Sequence, residues 1–360
     1  MTATMLLAAV LLPSNAGFQQ ELDQTRLAQD IPGVSAVVSR GDQVLFAGAS
    51  GFADLETRRP MTAETVLYCG SLSKVFTAVL ALRLVEQKRL TLSDTVDGVL
   101  GQDLGAAGSI SVQQLLTHTS GLDREGSFGY WFSGVFPSDG ELQDYVGSEA
   151  LRTAPGSESR YSNIGYATLG LLAAAASNQS YGEALASTVL RPLSMNASGT
   201  GKPAPELARG YSPVGRLLPS ENRPFAGVGR RVGDRHLREY HHANAMTPAF
   251  GIQTTALDLS RLTRFLLGHR AAGLLSQSLL EKIRRRQAGG RGLGLRIAKA
   301  NGVTVARHSG WFAAHRSHLL IDETNDLSVV VLTNSDNAAP AEIVDRLHAL
   351  ALAAVGLAGG

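Results

Sequence analysis

The chain has 360 residues, 44% of them apolar and 18% charged, the balance of a globular protein with a sizeable core and not of a disordered one. Its 33 lysines and arginines against 31 acids leave a formal net charge of +2, too even for the electrostatic footprint of a nucleic-acid binder. The single cysteine, Cys69, excludes an internal disulfide and a cysteine-rich zinc site.

At the N-terminus, residues 5–12 (MLLAAVLL) are all apolar. Pro13-Ser14-Asn15-Ala16 follow, with Ser14 and Ala16 at −3 and −1 of a cut before Gly17. That is the pattern of a short secretory signal, although no lysine or arginine precedes the apolar run. The expectation is a leader over residues 1–16 and a periplasmic or secreted mature protein; the other reading is a cytosolic extension. No later stretch holds the roughly 18 consecutive apolar residues of a membrane span.

Residues 33–39 (GVSAVVS) and 43–48 (QVLFAG) are β-rich runs split by Arg40-Gly41-Asp42, a hairpin signal that accounts for the Arg-Gly-Asp tripeptide as a turn. The middle of the chain, roughly 70–285, carries helical patterns and long Gly/Pro loops, and the run Arg284-Arg285-Arg286 reads as a solvated helix face. Residues 317–322 (SHLLID) and 327–333 (LSVVVLT) form a second hairpin around Glu323-Thr324-Asn325-Asp326, and residues 340–357 read as a helix. Strands at both ends with helices between them imply an α/β (α+β) protein: one sheet built from both termini, flanked by helices, with a helical insert. The expected unit is one domain over 17–360, with a sheet lobe over about 17–68 and 288–360 and a mainly helical lobe over about 69–287.

Residues 65–82 (TVLYCGSLSKVFTAVLAL) hold the chemistry. Lys74 is the only charged residue between Glu64 and Arg83, and after Gly70 the pattern is helical and apolar nearly all round, which marks a buried helix. A lone ammonium there is costly unless the site uses or pairs it. Ser71 lies one turn back on the same face, in a first turn whose free N–H groups and dipole favour an oxyanion. Burial should depress the lysine pKa and let it act as a base near neutrality. Ser73 is the rival nucleophile but lacks a lysine three residues on. The plainer reading of the pair is a snorkelling lysine beside an N-cap serine.

Two further stretches bear on that choice. Tyr161-Ser162-Asn163 follows the turn Pro155-Gly156, and His308-Ser309-Gly310 is expected to open a strand. Serine-x-x-lysine, then tyrosine-x-asparagine, then a basic residue-x-glycine near the C-terminus resembles the ordered motif set of the serine β-lactamase and penicillin-binding superfamily. The chain is similar to class C β-lactamase-related serine hydrolases, a group that includes D-alanyl-D-alanine carboxypeptidases, D-aminopeptidases and β-lactamase-like esterases. LLTHTSGL at 115–122, Arg191-Pro192-Leu193-Ser194-Met195, Gly210-Tyr211, Ala256-Leu257-Asp258-Leu259, Gly292-Leu293-Gly294 and 329–334 extend the resemblance over nearly the whole chain.

The resemblance implies a β-lactamase/transpeptidase-like antiparallel sheet and assigns roles. Ser71 is the acylated nucleophile, and Lys74 accepts or relays its proton. Tyr161 is the partner base, a phenolate stabilised by the nearby ammonium, and then protonates the leaving group. Asn163 holds Lys74 and contacts the acyl side-chain amide. The backbone N–H groups of Ser71 and Trp311 form the oxyanion hole, and His308, Ser309 and Gly310 line the substrate. His308 stands where class C β-lactamases have lysine, and a neutral imidazole there is expected to donate one hydrogen bond into the site. Arg316 is a candidate substitute cation. Ala314 replaces a glycine common in relatives.

His315-x-x-His318 with Asp322 is set aside as a metal site, because residues three apart on a strand face opposite sides. His118 reads as a structural hydrogen-bonding residue. Tyr130-Trp131-Phe132 and Phe136-Pro137 either line the substrate cleft or pack the helical lobe. No G-x-S-x-G, G-x-G-x-x-G or Walker loop occurs. The expected activity is hydrolysis of an ester or amide, a small ester or D-amino-acid peptide, through an acyl-serine, without metal or cofactor and weak on β-lactams. The alternatives are an acyltransferase on the same acyl-enzyme and a non-catalytic penicillin-binding-like protein. The partner is a small-molecule or peptide substrate.

Overall fold

The computed structural model describes residues 15–148, 151–215, 228–238, 242–269, 273–287 and 290–356. The expected leader over 1–16 lies outside them except for its last two residues, which begin the helix Asn15–Ala28.

In chain order the strands are β1 (Gly33–Arg40), β2 (Gln43–Asp54), β3 (Arg59–Pro60), β4 (Leu67–Tyr68), β5 (Gly210–Pro213), β6 (Val228–Val232), β7 (Arg235–Arg238), β8 (Gln253–Thr254), β9 (Arg296–Ala300), β10 (Val303–Phe312), β11 (His315–Asp322) and β12 (Leu327–Thr333). Seven make one antiparallel sheet in the order β3-β2-β1-β12-β11-β10-β9. Its centre is the pairing of the first strand with the last, Val34 opposite Thr333 through Arg40 opposite Leu327. Both expected hairpins are present.

The strands at the centre are buried almost throughout and mostly apolar, because both faces are covered. Alternation sorts their side chains. Val34, Ala36, Val38, Val329 and Val331 pack with Phe18, Leu22, Ile343, Val344 and Leu347 of the helices Asn15–Ala28 and Pro340–Ala354. Val37, Val330 and Leu332 join the larger core on the other face, where the helix Ala256–Leu267 packs on β1 and β12.

Three local expectations are corrected. His308-Ser309-Gly310 lies in the second half of β10 and does not open it. The helical lobe also carries a three-stranded sheet, β5-β7-β6, whose arginine-rich strands lack the apolar alternation that would have marked them. Arg284 is not on a solvated face: it ends the helix Gln277–Arg284, is buried, bonds the Leu266 carbonyl and pairs with Glu323 at 2.8 Å.

Candidate active site

Gly70–Leu72 forms a tight turn of 3-10 helix that runs into Ser73–Glu86. Ser71 sits on that turn and lines a cavity of about 670 Å³, together with Tyr161, Asn163, His308, Ser309, Gly310 and Trp311. The two candidate nucleophiles separate cleanly. Ser73 is fully buried and its Oγ accepts the Ile252 N–H at 3.0 Å, which makes it a brace of the fold.

Lys74 is wholly buried. Its Nζ lies 2.6 Å from Asn163 Oδ1, 2.7 Å from the Ala249 carbonyl and 3.3 Å from Ser71 Oγ. The first two partners can only accept. A neutral amine has two N–H groups for them and one lone pair left, and the remaining neighbour is the hydroxyl of Ser71. Burial pushes the Lys74 pKa well below its ordinary value; Glu125 opposes that shift and Arg124 adds to it. The π-helical turn Thr247–Gly251 brings the Ala249 carbonyl to this point.

Tyr161 hydrogen-bonds Ser71, and its ring lies 4.8 Å from Lys74 Nζ. Burial pushes its pKa up to about 12, with the Ser71 bond and Arg124 opposing. Burial thus disfavours the expected phenolate of Tyr161 and favours the neutral amine of Lys74. Ser162 caps the helix Asn163–Ser177 by accepting the Gly165 N–H at 2.8 Å. Its own N–H donates to His118 Nδ1 at 3.1 Å, so His118 pins the Tyr161-Ser162-Asn163 segment from behind, in the structural role expected of it. Burial lowers the His118 pKa well below its ordinary value and keeps that nitrogen an acceptor.

Asn163 holds Lys74 as expected, while its Nδ2 donates to both carboxylate oxygens of Glu125 at 2.9 Å. Glu125 also accepts from the Tyr130 hydroxyl and pairs with Arg124 at 3.1 Å.

Opposite Ser71 runs β10. A Cβ on Gly70, whose φ is +54°, would lie 2.3 Å from Trp311 N, and one on Gly310 would lie 2.0 Å from the Cys69 carbonyl oxygen. Only glycines permit this approach, which brings the backbones of Ser71 and Trp311 to facing sides of the cleft. Ser317 Oγ donates to the Cys69 carbonyl at 2.6 Å and ties the turn to β11. Cys69 is buried, its thiol pKa raised to about 12 by that burial, and so inert.

His308 corrects a second expectation. Its Nδ1 lies 2.7 Å from the Ser309 carbonyl, which can only accept, so Nδ1 carries the proton and Nε2 is left as an acceptor, with no N–H for the site. Burial drives its pKa down to about 3, and Lys74 adds to the shift. Cationic charge reaches the cleft from elsewhere: Arg124, Arg291, Arg296, Arg307 and Arg316 all line it. Arg291 stacks on Tyr161 with its Cζ 5.8 Å from the ring centroid.

The aromatic stretch divides. Trp131 lines the cleft, 5.2 Å from Trp311 and 5.3 Å from Phe250, while Tyr130 and Phe136 pack beneath it. His315 donates from Nε2 to the Ala208 carbonyl, whereas His318 turns to Ser309, so the two do not converge. Among the described residues no three His, Cys, Asp or Glu side chains are grouped to hold a metal, and no helix is long and apolar enough to cross a membrane. Ala313 and Ala314 both take left-handed φ, 53° and 58°, at the β10–β11 turn where a glycine was the expected residue.

Glu125, Ala249, Phe250 and four of the arginines were not reached by sequence reasoning. Glu125 follows LLTHTSGL closely, but nothing in its spacing pairs it with Asn163, 38 residues on.

The model of the family described as Beta-lactamase matches residues 18–354. The chain belongs to the beta-lactamase family. Among relatives of this family, esterase EstB of Burkholderia gladioli is 29% identical over 364 aligned positions, covering 89% of each chain. The D-amino acid amidase of Ochrobactrum anthropi SV3 superposes with a TM-score of 0.80 at 23% identity, over 93% of this chain and 98% of that one, a likeness of fold. The octameric penicillin-binding protein homologue of Pyrococcus abyssi does so with a TM-score of 0.77 at 25% identity, over 94% and 77%. The antiparallel sheet built from both termini is thus that of the β-lactamase/transpeptidase fold.

Proposed function

We propose that this beta-lactamase-family protein is a serine hydrolase that cleaves an ester or amide through an acyl-Ser71 intermediate. The observation that carries the reading is the bonding of Lys74: two short contacts to pure acceptors consume the N–H groups of the neutral amine and leave its lone pair for Ser71. Ser71 Oγ attacks the carbonyl as its proton passes to Lys74. The backbone N–H groups of Ser71 and Trp311 receive the developing oxyanion. Tyr161 gives its proton to the leaving group and regains one from Lys74. Water then attacks the acyl-enzyme by the reverse relay and releases the acid.

The name of the Burkholderia relative supports an ester, and that of the Ochrobactrum protein an amide of a D-amino acid. Trp131, Phe250 and Trp311 supply an apolar wall for the acyl group or leaving group. β-Lactams acylate Ser71 but turn over weakly, because His308 presents a lone pair where a cation would hold their carboxylate. Losing one charge-assisted hydrogen bond costs roughly 1.5–3 kcal/mol, about ten- to a hundredfold. The N-terminal apolar run supports a periplasmic or secreted location.

The test is one pair of kcat/KM values at pH 7.5, with p-nitrophenyl butyrate expected to exceed nitrocefin. Nitrocefin ahead by tenfold or more contradicts the substrate assignment. Product analysis with an added amine separates water from acyl transfer, and free acid is the expected main product.

A further inference from the structure

Ser309 and His318 face one another across the β10–β11 register, and both line the cleft. Ser309 is exposed there, whereas His318 is buried behind it. His318 makes two bonds. Arg307 Nε donates to its Nε2 at 2.9 Å, and its Nδ1 lies 2.8 Å from Ser309 Oγ. An arginine Nε–H can only donate, so His318 Nε2 must accept and carry no proton. A neutral imidazole has one N–H, and it is then on Nδ1, pointing at Ser309 Oγ. Burial, with Arg307 and His308 adding to it, drives the His318 pKa down to about 3, which keeps the ring neutral. Arg307 is itself held by Asp345 of the helix Pro340–Ala354, at 3.0 Å.

The polarity of each link is therefore fixed by the one before it. Arg307, held in an ion pair with Asp345, donates to His318, and His318 donates to Ser309. Ser309 Oγ has accepted, so its own proton is free to turn into the cleft.

We propose that His318 is a positioning residue that fixes Ser309 as a hydrogen-bond donor toward substrate, so that the substrate group docking beside β10 must be an acceptor such as a carbonyl or carboxylate oxygen. The inference rests on the reading of Ser71 as the acylated residue only for its kinetic consequence; the direction of the chain stands apart from turnover. A histidine three residues from the start of β11 thereby acts on specificity through Ser309, without touching substrate.

Two measurements test it. The first is the tautomer of His318, read from two-bond 15N–1H correlations of the histidine-labelled protein and assigned with His318→Asn. The Nδ1–H form is expected throughout about pH 6–9. The Nε2–H form, or a doubly protonated ring at pH 7, overturns the proposal whether or not the protein turns over any ester.

The second compares the near-isosteric pair His318→Asn and His318→Asp. Arg307 draws the Asn oxygen and leaves its Nδ2 to donate to Ser309. Asp can only accept, so it takes the Ser309 proton and turns a lone pair to the cleft. With p-nitrophenyl butyrate, His318→Asn is expected to hold KM within about threefold and His318→Asp to raise it about tenfold with less change in kcat. In a Ser309→Ala background the difference between the two should vanish. A difference that persists there shows that the new charge, and not the serine proton, is responsible, and overturns the proposal. Wild-type protein without any turnover contradicts the proposed function instead, and the tautomer then decides this inference alone.

Discussion

In the proposed role Lys74 has to be buried to be a base and bonded to be tolerated; it is wholly buried, and Asn163, Ala249 and Ser71 bond it. Because the amine must be unprotonated to accept from Ser71, kcat/KM should rise with pH and reach a plateau once Lys74 has lost its proton. Its pKa is lowered, so that acid limb is expected well below the ordinary lysine value. His308 and His318, both near 3, contribute no limb around 6.5, and Tyr161, near 12, gives no alkaline limb below about pH 10. A pH–rate profile from about 5 to 10 checks this; a limb near 6.5 that disappears in His308→Gln contradicts it. Lys74→Ala and Tyr161→Phe should each lower kcat/KM on an activated ester by about 10²–10⁴-fold with unchanged circular dichroism. Activity within about tenfold in both would contradict the relay.

At this scale the sequence reached Ser71, Lys74, Tyr161, Asn163 and His308 because each sits in a short motif whose order can be read along the chain. Glu125 and His318 were out of reach because their partners are set by the fold: Glu125 meets Asn163 only when the loop after 115–122 folds onto the helix start at Asn163, and His318 meets Ser309 only through strand register. The burial that disfavours a Tyr161 phenolate and the tautomer of His308 were out of reach for a related reason. The first depends on burial and the second on the Ser309 carbonyl, and no spacing reveals either.

The element that decides the geometry is the contact of β10 with the turn at Gly70–Leu72. Gly310 and Gly70 are the two points where backbone meets backbone without room for a methyl group. Gly310→Ala places a Cβ 2.0 Å from the Cys69 carbonyl, so strand and turn must separate. The expected cost is about 1–3 kcal/mol in stability and, through misplacement of the Trp311 amide by about an ångström, on the order of a hundredfold in the rate of Ser71 acylation by a fluorophosphonate. Wild-type melting and acylation in that variant would show that the close approach is not needed. Strand and helix periodicity exposed the two hairpins and the C-terminal helix because those elements alternate between two apolar faces. The β5-β7-β6 sheet stayed hidden because VGRRV exposes two arginines and RHLR buries two, so that period-two alternation of apolar residues is missing.

Across the whole molecule, the first and last strands pair at the centre of the sheet, so neither end of the chain can fold without the other. The helical lobe is inserted between them and shares the larger core with the sheet face. The two tryptophans, Trp131 from the helical lobe and Trp311 from the sheet, lie 5.2 Å apart across the cleft. Their fluorescence reports the junction, while far-UV circular dichroism reports both lobes. One domain should give coincident denaturant transitions by the two probes. A fluorescence transition that clearly precedes the other would show that the lobes unfold as separate units.

The central claim is that Ser71 carries the acyl group, and covalent labelling tests it most directly. The protein is treated with a fluorophosphonate or a fluorescent penicillin, digested, and the modified peptide sequenced by mass spectrometry. The account predicts a single adduct on Ser71, absent in Ser71→Ala and formed far more slowly in Lys74→Ala. An adduct on Ser73, or labelling that survives Ser71→Ala, would contradict it.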